Sequence, residues 1–298
     1  MACGGLTLDQ APLGTSPEGG APRDAATIKF DYCGLCGLVD NVSAVALPPT
    51  SELSGIAASG IFPRTFYVHN DSGDTARFFA VDTDGSVLAT FSVTGATADD
   101  WEDIAVGPCA GRSCVFLGDI GDNSTKRATY TVYRVVEPAD VRMSGPVTAE
   151  AIPFRYPDGS HNAETLLVHP TTGRMFVVTK VSSGPSGVYA FPETVRAGEV
   201  VTLTRIGSVT PPSGSPQITG GDISPDGTGV LLRTYSNAWY YGGAENEALA
   251  TTLGRSPCPL PVASEPQGEA ICFQPDGHGY VTVSEGAPVL HFAKCPSF

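Results

Sequence analysis

Polar junctions and apolar runs alternate along this chain at a repeated spacing. Five times a short polar stretch gives way to an apolar residue that opens a run: "ELSGIAAS", "DWEDIAVG", "NAETLLVH", "TGGDISPD" and "QGEAICFQ". Ile56, Ile104, Leu166, Ile223 and Ile271 hold the aligned position, at steps of 48, 62, 57 and 48 residues. Each junction is followed by a turn and a second run ending in polar residues: "TFYVHND", "CVFLGDI", "RMFVVTK", "GVLLRTY" and "GYVTVSE". Third runs follow as "RFFAVDT", "TYTVYRV", "GVYAFPE" and "VLHFAKC", with "AWYYGG" the third run of a poorer fourth unit; fourth runs stand at "VLATFSV", "EAIPFRY" and "VVTLTRI". Short runs rich in Val, Ile, Tyr, Phe and Thr, bounded by Gly, Pro, Asn and Asp, predict strands. A repeat of this length with four strands predicts propeller blades.

The expected fold is therefore all-β: a five-bladed β-propeller, with six blades as the alternative, over residues 26–298 behind a flexible tether at 1–25. The last unit stops after its third run, which leaves an open edge. A strand from the N-terminal region, "TIKFDYC" or alternatively "VSAVALP", is expected to close the ring. The 35 Gly and 25 Pro fit many tight turns, and "SPDGTG" and "QPDGHG" are Pro-Asp-Gly turns between first and second strands.

Charge and cysteines narrow the setting. Seventeen basic against 31 acidic residues give −14, with no basic cluster to follow a phosphate backbone, so nucleic acid is not an expected partner. No apolar run is long enough for a transmembrane span. Eight cysteines point to an oxidising, extracytoplasmic compartment. Cys109/Cys114 and Cys258/Cys272 are the short-range pairs, and Cys295 is expected to bond Cys33 or Cys36, since a lone Cys33-Gly-Leu-Cys36 lacks the second pair that a zinc site needs. Ala2-Cys3-Gly4-Gly5 is similar to the end of a bacterial lipobox, which makes Cys3 a candidate lipid anchor; a chance cysteine is the other reading. Asn41-Val-Ser and Asn123-Ser-Thr match the glycosylation pattern, whereas neither GxSxG nor a P-loop is present.

The acids at the junctions carry the candidate chemistry. Two places before each aligned apolar residue stand Ser54, Glu102, Glu164, Gly221 and Glu269. Radial repetition would gather these positions around one axial channel, where three carboxylates repel unless a cation neutralises them. One calcium ion fits, because it accepts about six to eight oxygens in flexible geometry. The alternative is that the glutamates cap turns or pair with arginines across blades. Asp103 and Asp222 are expected to support their entry turns. The ends of the second runs form a second set: His69, Asn70 and Asp71; Asp119, Asp122 and Asn123; Lys180; Arg233 with Tyr235; Ser284 with Glu285. Acids, a histidine and two basic groups at one mouth suit a hydrolase that positions water and offsets anionic charge, and they equally describe solvated hairpin loops.

These junctions resemble the calcium-activated nucleotidases, or apyrases, over most of residues 50–298. The resemblance implies a five-bladed propeller with calcium in the central channel, with Ser54, Glu102, Glu164 and Glu269 on ligand positions and Gly221 where that family has a serine. At the rim His69-Asn70-Asp71 stands where the family has paired aspartates, and Asp122 where a lysine would hold phosphate. "LSGIAAS", "HNDSGD", "DWEDIAVG" and "GDIGDN" also resemble bacterial secreted propellers of esterase-like or phytase-like type. The functional expectation is an extracytoplasmic calcium-binding hydrolase of a phosphoester or other ester, taking a small-molecule substrate at one mouth. The alternative is a non-catalytic ligand- or protein-binding scaffold lipoprotein.

Overall fold

The structure is a computed structural model that describes residues 32–34, 36–39 and 52–296. Among these residues the chain opens with a two-residue strand, β1 (Gly37–Leu38). The first unit is β2 (Leu53–Ala58), β3 (Thr65–Asn70), β4 (Arg77–Asp82) and β5 (Val87–Thr94). The second is β6 (Trp101–Cys109), β7 (Arg112–Asp119), β8 (Tyr130–Val136) and β9 (Gly145–Arg155). The third holds β10 (Ala163–Val168), β11 (Met175–Thr179) and β12 (Ser186–Ala190), then, past the short β13 (Val201–Thr202), β14 (Thr204–Val209). The fourth is β15 (Ile218–Ile223), β16 (Gly229–Thr234), β17 (Ala238–Gly242) and, after the one-turn helix α1 (Leu249–Leu253), β18 (Cys258–Leu260). The fifth is β19 (Gln267–Phe273), β20 (Gly279–Glu285) and β21 (Ala287–Lys294).

Each unit is an antiparallel meander, and β1 supplies the fourth strand of the fifth through Gly37↔Lys294 and Leu38↔Ala293. The pairing strand thus lies between the two N-terminal segments expected to provide it, which fall almost wholly outside the described residues, as do the 1–25 tether, Cys3 and Asn41. Outer strands β5 and β9 also pair in parallel, joining the first two units in one sheet, and β13 pairs in parallel with β9. The run "VVTLTRI" therefore divides: its start belongs to the neighbouring unit and only its end to β14. The first strands β2, β6, β10, β15 and β19 pack in cyclic order, with β19 against β2. The architecture is all-β and propeller-like.

The apolar runs read as nearly continuous because both faces of each unit are covered. Every buried cluster sits between two neighbouring units. Ile56, Phe66 and Phe79 meet Val281 and Phe292; Tyr67 and Phe78 meet Trp101 and Val115; Phe116 and Phe154 meet Leu166 and Tyr189. Val178 and Val188 likewise meet Val230 and Trp239, and Leu231 meets Ile271 and Tyr280.

Disulfides join Cys36 to Cys295, Cys33 to Cys258 and Cys109 to Cys114. The expected Cys258/Cys272 pair does not form: among the described residues Cys272 is a free, buried thiol. The reason is topological, since Cys272 lies on an inner strand and Cys258 on the outermost strand of the neighbouring unit, beside the N-terminal segment. That segment is further held by Tyr32, whose hydroxyl donates to the Gly277 carbonyl at 2.6 Å and whose ring lies 4.5 Å from that of Tyr240. The disulfides fit an extracytoplasmic protein. No helix among the described residues is long and apolar enough to cross a membrane.

Candidate functional site

One irregularity recurs at the start of every unit. The register between first and second strands slips by one residue between Leu53 and Gly55, Trp101 and Asp103, Ala163 and Thr165, Ile218 and Gly220, and Gly268 and Ala270. The skipped residues are Ser54, Glu102, Glu164, Thr219 and Glu269. A β-bulge leaves its extra residue out of the ladder and re-aims its side chain, so the bulges, repeated around the ring, give these five side chains a common setting. All five are buried. In the fourth unit the equivalent position is Thr219, two residues before Gly221. Thr219 Oγ1 donates to the Gly268 carbonyl at 2.9 Å, as Ser54 Oγ donates to the Glu102 carbonyl at 2.7 Å. A Cβ at Gly221 would lie 2.6 Å from the Leu231 carbonyl oxygen, so that backbone is packed against its own sheet.

Between the first two units, single carboxylate oxygens of Asp71, Asp100 and Glu102 all lie within 4.8 Å of one another. Asp71 follows β3 and its amide is tied to the Glu52 carbonyl at 2.9 Å; Asp100 precedes β6; Glu102 is the β6 bulge residue. Ser54 Oγ stands 3.5 Å from Glu102 Oε2. Gly121 closes the cradle from the loop after β7: a Cβ there would fall 2.3 Å from Glu102 Oε1 and 2.4 Å from Asp100 Oδ2. The electrostatics are those of crowded, desolvated acids. Burial, then Asp71, raises Asp100 to about 6; burial, then Glu164, raises Glu102 well above the carboxylate range. Burial also raises Asp71.

The other two bulge glutamates have internal partners. Glu164 Oε1 accepts an ion pair from Lys180 Nζ, while its buried Oε2 has no hydrogen-bond partner among the described residues. Burial raises Glu164 to about 7, even against the lowering pull of Lys180. Glu269 Oε1 accepts Gln267 Nε2 at 2.6 Å, and burial, then Glu164, raises it to about 8. Lys180 Nζ also lies 4.7 Å from the centre of the Tyr235 ring. Among the described residues, neither glutamate pairs with an arginine.

The remaining rim residues are drawn into the scaffold to different degrees. His69 is fully buried, edge-on to Trp101 at 5.7 Å, with Nδ1 2.7 Å from the Asn70 carbonyl oxygen; burial lowers its pKa to about 4. Asn70 donates to Asp74 Oδ2 at 2.7 Å and leaves a buried Oδ1 unpartnered. Asp119 is paired with Arg127 at 2.7 Å and receives the Asp100 amide at 3.2 Å, so it braces the loop that presents Asp100. Asp122 caps its own loop, accepting the Lys126 and Arg127 amides at 3.0 and 2.8 Å and the Tyr130 hydroxyl at 3.0 Å; burial opposes its ionisation, but these bonds outweigh it and hold the pKa low. Asn123 accepts Asn162 Nδ2 at 3.1 Å. Arg233 is wholly buried between the fourth and fifth units, bonded to Glu265 at 2.7 Å and to the carbonyls of Ala270 and Val283 at 3.1 and 3.3 Å.

Asp103 and Asp222, expected at their entry turns, lie instead within β6 and β15, where they tie neighbouring units. Asp103 accepts the Ile104 and Leu166 amides at 2.9 and 2.8 Å, and Asp222 those of Ile223 and Phe273 at 2.8 and 2.9 Å. Asp100 and Gly121 were not singled out from the sequence. The four-acid cluster around Trp101 was the available signal for Asp100, but which of its acids faces Asp71 depends on the turn. At the opposite ends of the first strands a cavity of about 600 Å³ opens, lined by Pro63, Pro108, Pro170, Pro225 and Pro275, one from each unit. Among the described residues, the convergence of candidate ligand atoms is at the acidic mouth and not there.

No known protein-family model matches this chain. No curated protein matches it either. Among solved structures, a gluconolactonase from Xanthomonas campestris is similar over 92% of this chain and 99% of its own, at 14% identity and a TM-score of 0.45. So slight a likeness says nothing about the chemistry of the acidic mouth.

Proposed function

We propose that this protein is an extracytoplasmic five-bladed β-propeller that binds one calcium ion at its acidic mouth and hydrolyses a phosphoester or other ester there. The observation that carries the reading is the convergence of Asp71, Asp100 and Glu102 within 4.8 Å. The donor set fits a hard divalent cation, since every candidate ligand is an oxygen. Two further features support the fit: Glu164 Oε2 is buried without a partner, and Gly121 leaves open the space that a side chain would fill. Ser54 and Glu269 complete the oxygen-lined wall, and the fourth unit contributes Thr219 where Gly221 was expected. The five units, their cyclic packing and the β1 closure support the blade count.

Asp71, Asp100 and Glu102 would hold the cation, and Glu164 would turn its free oxygen toward it. Bound there, a divalent cation supplies Lewis acidity toward a substrate oxygen and a more acidic water. Lys180 brings a fixed positive charge to the same mouth, suited to a substrate oxygen that gains negative charge. Asp119 keeps the Asp100 loop in place through its amide contacts. The competing reading, a non-catalytic scaffold lipoprotein anchored through Cys3, draws on the internal saturation of Asp122 and Arg233, which leaves fewer groups free for chemistry.

Turnover of phosphoesters, lactones and carboxylic esters, measured with calcium and with chelator, separates the two. The enzyme reading expects calcium-dependent hydrolysis that Asp71→Ala abolishes. A flat screen by a protein that calorimetry shows to bind calcium would leave the scaffold.

A further inference from the structure

We propose that Lys180 is a built-in counter-ion that competes for Glu164 and thereby sets the affinity and charge selectivity of the cation site. The inference rests on the cation reading above and concerns its regulation. Five carboxylates, those of Asp71, Asp100, Glu102, Glu164 and Glu269, surround or border the mouth. A site of five ionised acids would prefer a highly charged ion and release a divalent one slowly. Lys180 changes this balance from within the fold.

Its position is built rather than incidental. The backbone amide of Lys180 donates to the Asn162 carbonyl at 2.9 Å, which fixes the base of the side chain two residues from Glu164 on the adjoining strand. The ammonium then reaches Glu164 Oε1 and lies over the Tyr235 ring at 4.7 Å, with the side chain only 10% exposed. Glu164 is thus divided: one oxygen is committed to Lys180, and the other is buried and unpaired. The Lys180 charge also reaches Asp71, Glu102, Glu269 and Glu285. Glu269 is held separately by Gln267, which also bonds Glu285. The Lys180 ion pair therefore lies on the Glu164 side of the mouth, with Glu269 held by a neutral amide, and the ligand oxygens of Asp71, Asp100 and Glu102 converge on the other side.

With Lys180 in place the cation meets three carboxylates and half of a fourth. Without it Glu164 is freed and the local charge falls by one unit. Attraction grows with the charge of the ion, so the gain is larger for a trivalent than for a divalent ion.

Calcium and terbium(III) binding to the full chain is measured by calorimetry and sensitised luminescence for wild type, Lys180→Gln and Lys180→Arg. The expected result is calcium binding about tenfold tighter in Lys180→Gln, a larger gain for terbium, and wild-type-like binding in Lys180→Arg. Unchanged or weaker calcium binding in Lys180→Gln, or no change in the terbium-to-calcium ratio, overturns the proposal. Absence of calcium binding in the wild type defeats instead the cation reading on which it rests. The wild type gives an independent measurement: among its four lysines, the ¹⁵N ammonium signal of Lys180 should shift on saturation with calcium, and an unmoved signal counts against the proposal even where Lys180→Gln does not fold.

Discussion

Gly121→Ala is the most direct test of the proposed cation site, because one methyl group acts on two of its three convergent carboxylates. The added Cβ would stand 2.3 Å from Glu102 Oε1 and 2.4 Å from Asp100 Oδ2, where ordinary contact begins near 3.4 Å. Each oxygen must retreat by about 1 Å. Calcium–oxygen distances span only about 2.3 to 2.6 Å, so a retreat of that size takes both oxygens out of coordination. The expected loss is about 100-fold in calcium affinity, or about 3 kcal/mol. The backbone itself permits alanine, since Gly121 is not among the positive-φ glycines. Calorimetry gives the affinity, and thermal unfolding gives the consequence. At free calcium about 100 times the wild-type Kd, the bound ion adds about 2.7 kcal/mol to wild-type stability and about 0.4 kcal/mol to that of the variant. A folded Gly121→Ala protein that binds calcium as the wild type does would refute the assignment of Asp100 and Glu102 as ligands.

The cation-free protein should lose stability as pH rises from about 5 to 8. Asp100, Glu164 and Glu269 are raised by burial to about 6, 7 and 8, so the folded state holds protons that the unfolded state releases, and stability is greatest below the ordinary carboxylate range and falls through the raised values. Denaturant titrations in chelator at pH 5 and pH 8 check the sign, and equal or greater stability at pH 8 would contradict it; calcium should stabilise more at the higher pH because it replaces those protons. Cys36→Ser should cost about 2 to 5 kcal/mol, because the bond to Cys295 spans 259 residues and fastens the β1 edge; a loss under about 1 kcal/mol would show that the edge holds without it. Arg233→Met should destabilise by about 3 to 5 kcal/mol, since it strands the buried Glu265 carboxylate, while calcium affinity stays unchanged; weakened calcium binding would instead return Arg233 to the mouth.

The hydrophobic pattern alone determined the all-β, repeated character of the chain, because each apolar run must be covered on both faces and short runs between Gly- and Pro-rich turns have few ways to achieve that. The aligned residues Ile56, Ile104, Leu166, Ile223 and Ile271 do fall on successive first strands. The fourth strand of the fourth unit, Cys258–Leu260, was not legible, since three residues including a proline carry no periodicity. Tertiary structure decided which acids meet. An identical offset marked Ser54, Glu102, Glu164 and Glu269, but the bulge that displaces them is a property of the ladder, and it moved the fourth position from Gly221 to Thr219. Asp71 and Asp100 converge only because two units abut at a set angle, and Gly121 enters from the loop after β7. Cysteine pairing was decided in the same way: sequence distance favoured Cys258 with Cys272, whereas the ring puts them on opposite edges and brings the outer strand beside the N-terminal segment. A pattern of residues specifies which surfaces must be buried. The distances between polar groups on different units depend on how those buried surfaces pack, and no local rule carries that information.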